Sequence, residues 1–471
     1  MGYDVVIVGA GPAGIFAALE LVRNGVEDVL MLDMGPEIDG RTCPASRGVG
    51  CVGCDPCYLL SGWGGAGAFS DGKLTLSTEV GGWLNEYIGG DYLSQLIDYV
   101  DGIYLRFGAP QRLYGTDVDR VDEIRRKALS VGLKLIPEKI RHLGTDKCPE
   151  ILSSMERELR RHIDIRLKTR ARDVLVKEGS ARGVVLEDGE VVESSYVILA
   201  PGRVGAEWLK SLAQTLKLKT VNNPVDLGVR VEVAASVMEE LVEVLYEPKF
   251  IYFSKAFDDK VRVFCVNPGG EVITESYNGV LTVNGQSYAE KRTDNTNFAI
   301  LVSTSFTEPF KEPIAYGKYI ARLANLLGGG IIVQRLGDLE VGRRSTEERI
   351  RRNVVTPTLA TATPGDLSFV LPYRYLSDVR EMLQAMDKVA PGLYAKQTLL
   401  YGVEVKFYSS RLELNENLET RIRNLFAAGD GAGITRGLIQ SSVSGVIAAR
   451  EIAQRMRRRA AEEIPQTVEK P

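Results

Sequence analysis

A doubly wound α/β fold, with a Rossmann-like dinucleotide domain discontinuous in sequence and a β-rich α+β domain on the substrate side, is predicted by three observations. The amino terminus reads as a buried strand, a glycine turn and a helix. Residues 220–412 are dominated by β-rich segments. A second strand, glycine turn and helix returns after them, in "NLFAAGDGAGITRGLIQSSVSGVIAAREIAQRM".

The opening, "YDVVIVGAGPAGIFAALELVRNG", gives a strand from Asp4 to Val8 and a helix running to about Asn24, followed by a second strand in "DVLMLDMG". Residues 80–142 carry amphipathic stretches such as "YLSQLIDYVDGIYLRFG" and are expected to be mostly helical. A helix, three alternating strands and a buried strand ending at Pro201-Gly202 come next. Between 220 and 412 the β-rich segments surround helical parts near 313–327 and 375–389. The expected division is therefore 1–79, 143–219 and 413–460 for the dinucleotide domain, 80–142 for a helical insertion, 220–412 for a substrate-side or cap domain, and 461–471 for a flexible tail.

The composition bounds the partners. With 471 residues, 44% hydrophobic, 25% charged and a formal net charge of -4, the chain has no basic surplus to hold nucleic acid or an anionic membrane. The longest apolar run, Val5 to Val22, is broken by glycine and proline and has no basic stretch before it, so neither a signal peptide nor a membrane span is expected. A soluble, cytoplasmic enzyme acting on a small molecule is the expectation. Six cysteines are too sparse for a disulfide scaffold, which turns attention to metal or redox chemistry where they cluster.

Gly9, Gly11 and Gly14 form GxGxxG between a strand and a helix, the context in which this pattern marks a dinucleotide site. The three glycines serve a tight turn, a close approach of backbone N–H groups to a pyrophosphate, and helix–strand packing. The helix amino terminus, beginning at Pro12 and Ala13, favours the phosphates. Asp33 closes the second strand, where a carboxylate accepts from ribose hydroxyls, with Met34 beside it.

The segment "LFAAGDGAG", Leu425 to Gly433, resembles the second flavin-binding motif of FAD proteins of the glutathione reductase type; "YVILAPGR", Tyr196 to Arg203, resembles their third. This resemblance implies FAD as the tightly bound nucleotide. It implies that Asp430 binds the ribityl chain, and that Ala171, Ala200, Gly202, Gly429, Gly437 and Leu438 join the cofactor-contacting set. A helix beginning near Gly431 would favour the anion that reduction places at flavin N1.

Further segments resemble one family, the FAD-dependent dehydrogenases of bacteria and archaea, whose substrates are largely unassigned. They are "GWGGAGAFSDGKL" (62–74), "RHLGTD" (141–146), "VNGQSYAEKRTDNTNFAILV" (283–302), "QRLGDLEVGRRS" (334–345), "YGVEVKFYSSR" (401–411) and "AAGDGAGITRGLIQSSVSG" (427–445). The resemblance implies an oxidoreductase that moves hydride or electrons through flavin N5 to or from a small substrate, and places Gly64, Gly65, Ala66 and Gly67 along the flavin. Only one GxGxxG is present, so either NAD(P)H binds transiently as donor or electrons arrive from a protein donor or another metabolite. An iron–sulfur electron-transfer flavoprotein and an RNA-modifying flavoprotein are the alternative functions.

The candidate catalytic residues are Cys54, Cys57, His142, Glu404 and Lys406. His142 is preferred over His162, which reads as a charge at a helix carboxyl terminus. Along "GVEVKFYSSR", Glu404 and Lys406 share a strand face with Gly402 and Tyr408, lining a cleft or forming an exposed salt-bridged surface. Lys73, Arg436, Arg343 and Arg344 stand between anion contacts and ordinary surface charges. Cys51, Cys54 and Cys57 form CxxCxxC with Cys43 upstream, and three readings stay open: an iron–sulfur or metal site, redox thiols beside the flavin, or packing. Cys148 and Cys265 are isolated and expected to pack.

Overall fold

The structure is a computed structural model that describes residues 2–43, 52–221, 225–277, 279–288, 291–304, 312–406 and 411–463. It divides into two compact units, Met1–Ala109, Cys148–Val221 and Ser409–Pro471 forming the first, Pro110–Lys147 and Asn222–Tyr408 the second.

The first unit is the doubly wound domain. Strand Tyr3–Val8 is buried along its last four residues, as a strand covered on both faces must be. It pairs in parallel with Val29–Leu32 and with Val191–Leu199. Asp164–Arg166 adds beyond the former and Leu425–Ala427 beyond the latter, both in parallel. Ala171–Lys177 and Ser180–Leu186 complete an antiparallel meander with Val191–Leu199. Three separate chain segments thus share one sheet, which makes the domain discontinuous. Helix Pro12–Arg23 starts on a proline, whose missing N–H costs nothing in the first turn. It lies so close to helix Leu438–Glu463 that a Cβ on Gly445 would sit 2.0 Å from the Ala13 carbonyl oxygen. Helix Gly90–Arg106 joins this layer, with the Tyr104 ring 4.9 Å from Phe16 and its hydroxyl 3.2 Å from Ser442 Oγ.

The second unit is α+β. Its main sheet runs, across the described residues, in the order Thr363–Pro364, Ile332–Arg335, Leu399–Lys406, Val225–Ala234, Asn295–Thr304, Lys260–Asn267, Lys249–Phe253 and Lys134–Ile136. The period-two pattern of "VDLGVRVEV" sends Leu227, Val229, Val231 and Val233 into the apolar core. Asp226, Gly228, Arg230 and Glu232 therefore fall on the opposite face.

The helical insertion expected at 80–142 is not a unit of its own. Residues up to Ala109 belong to the first unit, because Gly90–Arg106 buries Leu93, Leu96, Ile97 and Val100 there. From Pro110 the chain belongs to the second: Val121, Ile124 and Ala128 enter its core, and Lys134–Ile136 pairs antiparallel with Lys249–Phe253. The predicted tail is helical to Glu463, and 464–471 lie outside the described residues. Among the described residues no helix is long and apolar enough to cross a membrane.

Candidate functional site

The first glycine turn separates packing from access. Gly9 has φ +112°, and a Cβ there would lie 2.0 Å from the Ala200 carbonyl oxygen, so backbone conformation and space both demand glycine. A Cβ on Gly14 would lie 1.9 Å from the Gly9 carbonyl. At Gly11 it would meet nothing nearer than Gly65 Cα at 3.8 Å, so packing does not explain this glycine. Between residues 5 and 18 only Gly11 and Pro12 are not fully buried.

Asp33 also binds the protein's own backbone. Its Oδ2 accepts the Ala10 N–H at 2.8 Å, and its Oδ1 accepts the N–H groups of Gly35 and Gly62, each at 2.8 Å. One carboxylate thus fastens the glycine turn, the strand end and the loop from residue 62 together. Burial pushes its pKa up and the three N–H donors pull it back. A carboxylate offers about four acceptor positions, which leaves one for a ribose hydroxyl.

The loop then crosses the first turn. Gly64 donates to the Ala10 carbonyl at 2.8 Å, and a Cβ on Gly65 would sit 3.0 Å from Gly11 Cα. Gly67 abuts Leu438 Cδ2. Trp63 anchors the loop from below, fully buried, with Nε1 donating to the Leu152 carbonyl at 2.7 Å. Arg41 anchors it from the side through the carbonyls of Tyr58, Leu59 and Trp63 at 2.7, 2.8 and 2.6 Å. Burial lowers the Arg41 pKa to about 10 against the opposing pull of Asp33 and Cys57. A single arginine in an irregular stretch carries no pattern, and sequence reasoning missed it.

The third segment repeats the logic. From 425 to 449 every residue is buried except Asp430, Arg436, Gly437 and Leu438. No atom lies within 4 Å of where a Gly437 Cβ would stand. Asp430 accepts from Thr435 Oγ1 at 2.7 Å and faces Arg203 Nε at 3.9 Å. Gly429 donates to Ser444 Oγ at 2.9 Å; Ala200 is buried and donates to the Val8 carbonyl at 2.7 Å; Gly202 abuts Gly431. The α-helix starts at Leu438 rather than near Gly431, where a short 3-10 turn, Asp430–Ala432, stands instead. Arg436 lies over the Trp83 ring at 4.0 Å. The accessible backbone of Gly11 and Pro12, Gly65 and Ala66, and Gly437 and Leu438 is joined through the Gly11–Gly65 and Gly67–Leu438 contacts. Such a strip, glycine-rich and bare of polar side chains, fits a dinucleotide and a planar ring.

Met34 lines a cavity of about 380 Å³ with Asp55, Pro56, Lys168, Thr169 and Arg170. Ala171 follows directly and is buried. Asp55 Oδ1 pairs with Arg170 Nη2 at 2.6 Å. Asp55 and Pro56, between Cys54 and Cys57, are therefore held beside Met34, just past the end of the second strand. The Cys57 carbonyl accepts the N–H groups of Leu60 and Ser61 at 3.0 and 2.9 Å, which ties it to the loop leading into residues 64–67. Cys51 lies outside the described residues, and among those described no group of three His, Cys, Asp or Glu side chains is arranged to hold a metal, Cys43, Cys54 and Cys57 included. Lys73 is buried and pairs with Asp71 at 2.8 Å. His162 meets Glu27 at 2.9 Å on the surface.

The remaining candidates fall in the second unit. Glu404 does not line a cleft: it and Arg230 are both 0% exposed and joined by two 2.7 Å bonds, with Lys406 Nζ 3.0 Å from Glu404 Oε1. Burial alone would raise the Glu404 pKa, but Arg230 and Lys406 hold it below the usual range, so it is a fixed anion rather than a proton donor. Tyr408 lies outside the described residues. His142 ends strand Lys139–His142. Its ring is 4.5 Å from Tyr246, whose hydroxyl lies 3.1 Å from Ser287 Oγ. Tyr246 has φ +59° and Cys265 φ +54°, strained for side chains of this kind. Glu247 accepts the Cys265 N–H at 2.6 Å, and the Cys265 carbonyl accepts from Arg230 at 3.0 Å. His142, Glu404 and Lys406 thus lie along one polar seam whose connecting residues, Tyr246, Cys265 and Arg230, sequence reasoning did not select. Arg343 binds Asp338 at 2.8 Å and Arg344 is exposed.

Three family models match parts of the chain. Residues 2–49 match a family model described as FAD binding domain, 225–407 one described as FAD-dependent protein, C-terminal domain-like, and 363–460 one described as Glucose inhibited division protein A. An uncharacterized protein of Clostridium beijerinckii is 27% identical over 477 aligned residues, covering 96% of this chain and 80% of that one. Among solved structures, L-proline dehydrogenase from P. horikoshii aligns over 96% of this chain and 94% of its own at 12% identity, TM-score 0.42. Glycine oxidase from Geobacillus kaustophilus aligns over 96% and 95% at 14% identity, TM-score 0.42. Residues 2–49, in the first unit, are thus similar to an FAD binding domain, and residues 225–407, in the second, to the carboxyl-terminal domain of FAD-dependent proteins.

Proposed function

We propose that this chain oxidises or reduces a small organic substrate by hydride transfer, holding FAD along residues 9–14, 33–34, 64–67, 200–202 and 429–438. The carrying observation is that accessible positions of the two otherwise buried glycine turns, Gly11–Pro12 and Gly437–Leu438, are bridged by the 64–67 loop. FAD, when bound, supplies N5 as the hydride acceptor or donor. The chain does the rest. N–H groups of the first helical turn favour the pyrophosphate, and Asp430 suits a polyol hydroxyl. The amino terminus of helix Leu438–Glu463 favours negative charge beside Gly437. The cavity at Met34 suits the adenosine end.

The electron donor is proposed to be NAD(P)H acting transiently, with a protein donor as the alternative. Anaerobic mixing of the holoprotein with NADH, NADPH and reduced ferredoxin distinguishes them: rapid, saturable bleaching by a nicotinamide supports the first, and bleaching by ferredoxin alone overturns it. The iron–sulfur alternative is supported by the CxxCxxC spacing only. The RNA-modifying alternative draws on the similarity of 363–460, a stretch containing the 429–438 turn that FAD binding already explains.

A further inference from the structure

On the polar face of the second unit's sheet, one buried carboxylate serves two cations. Both Glu404 oxygens are taken by Arg230, yet Lys406 Nζ also lies 3.0 Å from Glu404 Oε1. Among the described residues Glu404 is the only carboxylate within ion-pair distance of Lys406. The Lys406 side chain is 14% exposed, so most of the water that would screen its charge is gone. Glu247, the carboxylate beyond Cys265, is occupied by the Cys265 N–H and lies 3.9 Å from Lys249. An ammonium carries three donors, and one faces Glu404.

The surroundings define what would complete it. Phe264, partly exposed, has Lys406 Nζ and Arg262 Cζ each 5.9 Å from its ring centroid. Arg262 is 27% exposed and pairs with Asp226, which also accepts from Ser303 Oγ at 2.8 Å. Lys406 pairs in register with Asp226 across neighbouring strands, and Asp226 with Ser303 on the next, so these groups share one patch. Two accessible cations flank an aromatic face, with their carboxylates committed beneath. A doubly charged phosphate would bring more negative charge than the single surplus cation offsets; a monocarboxylate with an apolar stem matches both the charge and the ring.

We infer that Arg262, Phe264 and Lys406 form a binding site for a small organic monocarboxylate, which would be the substrate class of this protein. The inference rests on the proposed oxidoreductase reading for the word substrate, and on the patch alone for the site. Calorimetric titration of the purified full-length protein with acetate, butyrate and benzoate, each beside its amide, and with inorganic phosphate, tests it. Expected is saturable binding of at least one carboxylate, not of its amide. In Lys406→Met that binding weakens roughly tenfold or more, while Lys406→Arg stays within about threefold of the wild type. Lys406→Met leaves the Arg230–Glu404 pair in place, and an unchanged circular dichroism melt confirms its fold; Arg262→Met is the second variant should it not fold. The inference is overturned if no carboxylate binds, if amides or phosphate bind as well, or if both folded variants bind like wild type. Absence of flavin from the wild-type protein would refute the oxidoreductase reading and leave the site to be judged by the titration.

Discussion

Gly62 donates its N–H to Asp33 Oδ1 at 2.8 Å, fastening the loop that carries residues 64–67 to the end of the second strand. The same carboxylate holds Ala10 and Gly35, so its loss leaves three donors to find new partners. Asp33→Ala is predicted to cost roughly 2–4 kcal/mol of stability and to lower flavin content sharply, with Asp33→Asn between it and wild type. Denaturant unfolding and the flavin-to-protein ratio check this; wild-type flavin content in Asp33→Ala would count against the fastening role.

Gly11 and Gly14 are predicted to fail in different ways. A Cβ at Gly14 collides with the Gly9 carbonyl, so Gly14→Ala loses the fold. A Cβ at Gly11 has room in the protein itself, so Gly11→Ala should fold with a melting temperature close to wild type and bind FAD at least roughly tenfold more weakly. Equal FAD affinity in Gly11→Ala would show that the cofactor does not approach this residue.

Breaking the Arg230–Glu404 pair leaves an uncompensated charge in a site with no exposure. Glu404→Gln is predicted to destabilise the protein by about 3–5 kcal/mol, and Arg230→Met with Glu404→Gln by less than Glu404→Gln alone. A double-mutant cycle in denaturant reads this directly.

Asp378, fully buried on helix Tyr373–Asp387, has its pKa pushed up to about 6, first by burial and then by the neighbouring Asp259, which Arg374 holds as an anion. A carboxyl raised in the folded state is protonated there while the unfolded chain ionises. Stability therefore falls as pH rises from about 4 to about 6 and stays lower above that. Asp378→Asn removes the ionisation, so its melting temperature relative to wild type should be higher at about pH 8 than at about pH 4.5. A pH-independent difference would contradict this.

What could be read in the sequence follows from range. The strand, GxGxxG and helix at 4–24 and the second glycine turn at 428–433 are local patterns, set by backbone conformation and close packing, and both were legible. The Arg41 clamp, the triple use of Asp33 and the Tyr246–Cys265–Arg230 seam depend on atoms brought together from distant positions, which no spacing encodes. Glu404 and Lys406 were correctly placed on one strand face, but the partner that buries them, Arg230, is 174 positions away. The setting of the cysteine loop was likewise hidden: Asp55 lines the cavity at Met34 through its tie to Arg170, 115 positions away. The insertion at 80–142 was one stretch by composition and two by packing, since Gly90–Arg106 and Val118–Leu129 bury their apolar stripes in different cores.

The central claim, that the 9–14, 64–67 and 429–438 segments form an FAD cradle, is tested most directly by the visible absorbance spectrum and cofactor stoichiometry of the full-length protein after purification and incubation with FAD. The account predicts protein-bound flavin bands at about one FAD per chain, lost in Gly11→Ala. A colourless protein that takes up no FAD would contradict it.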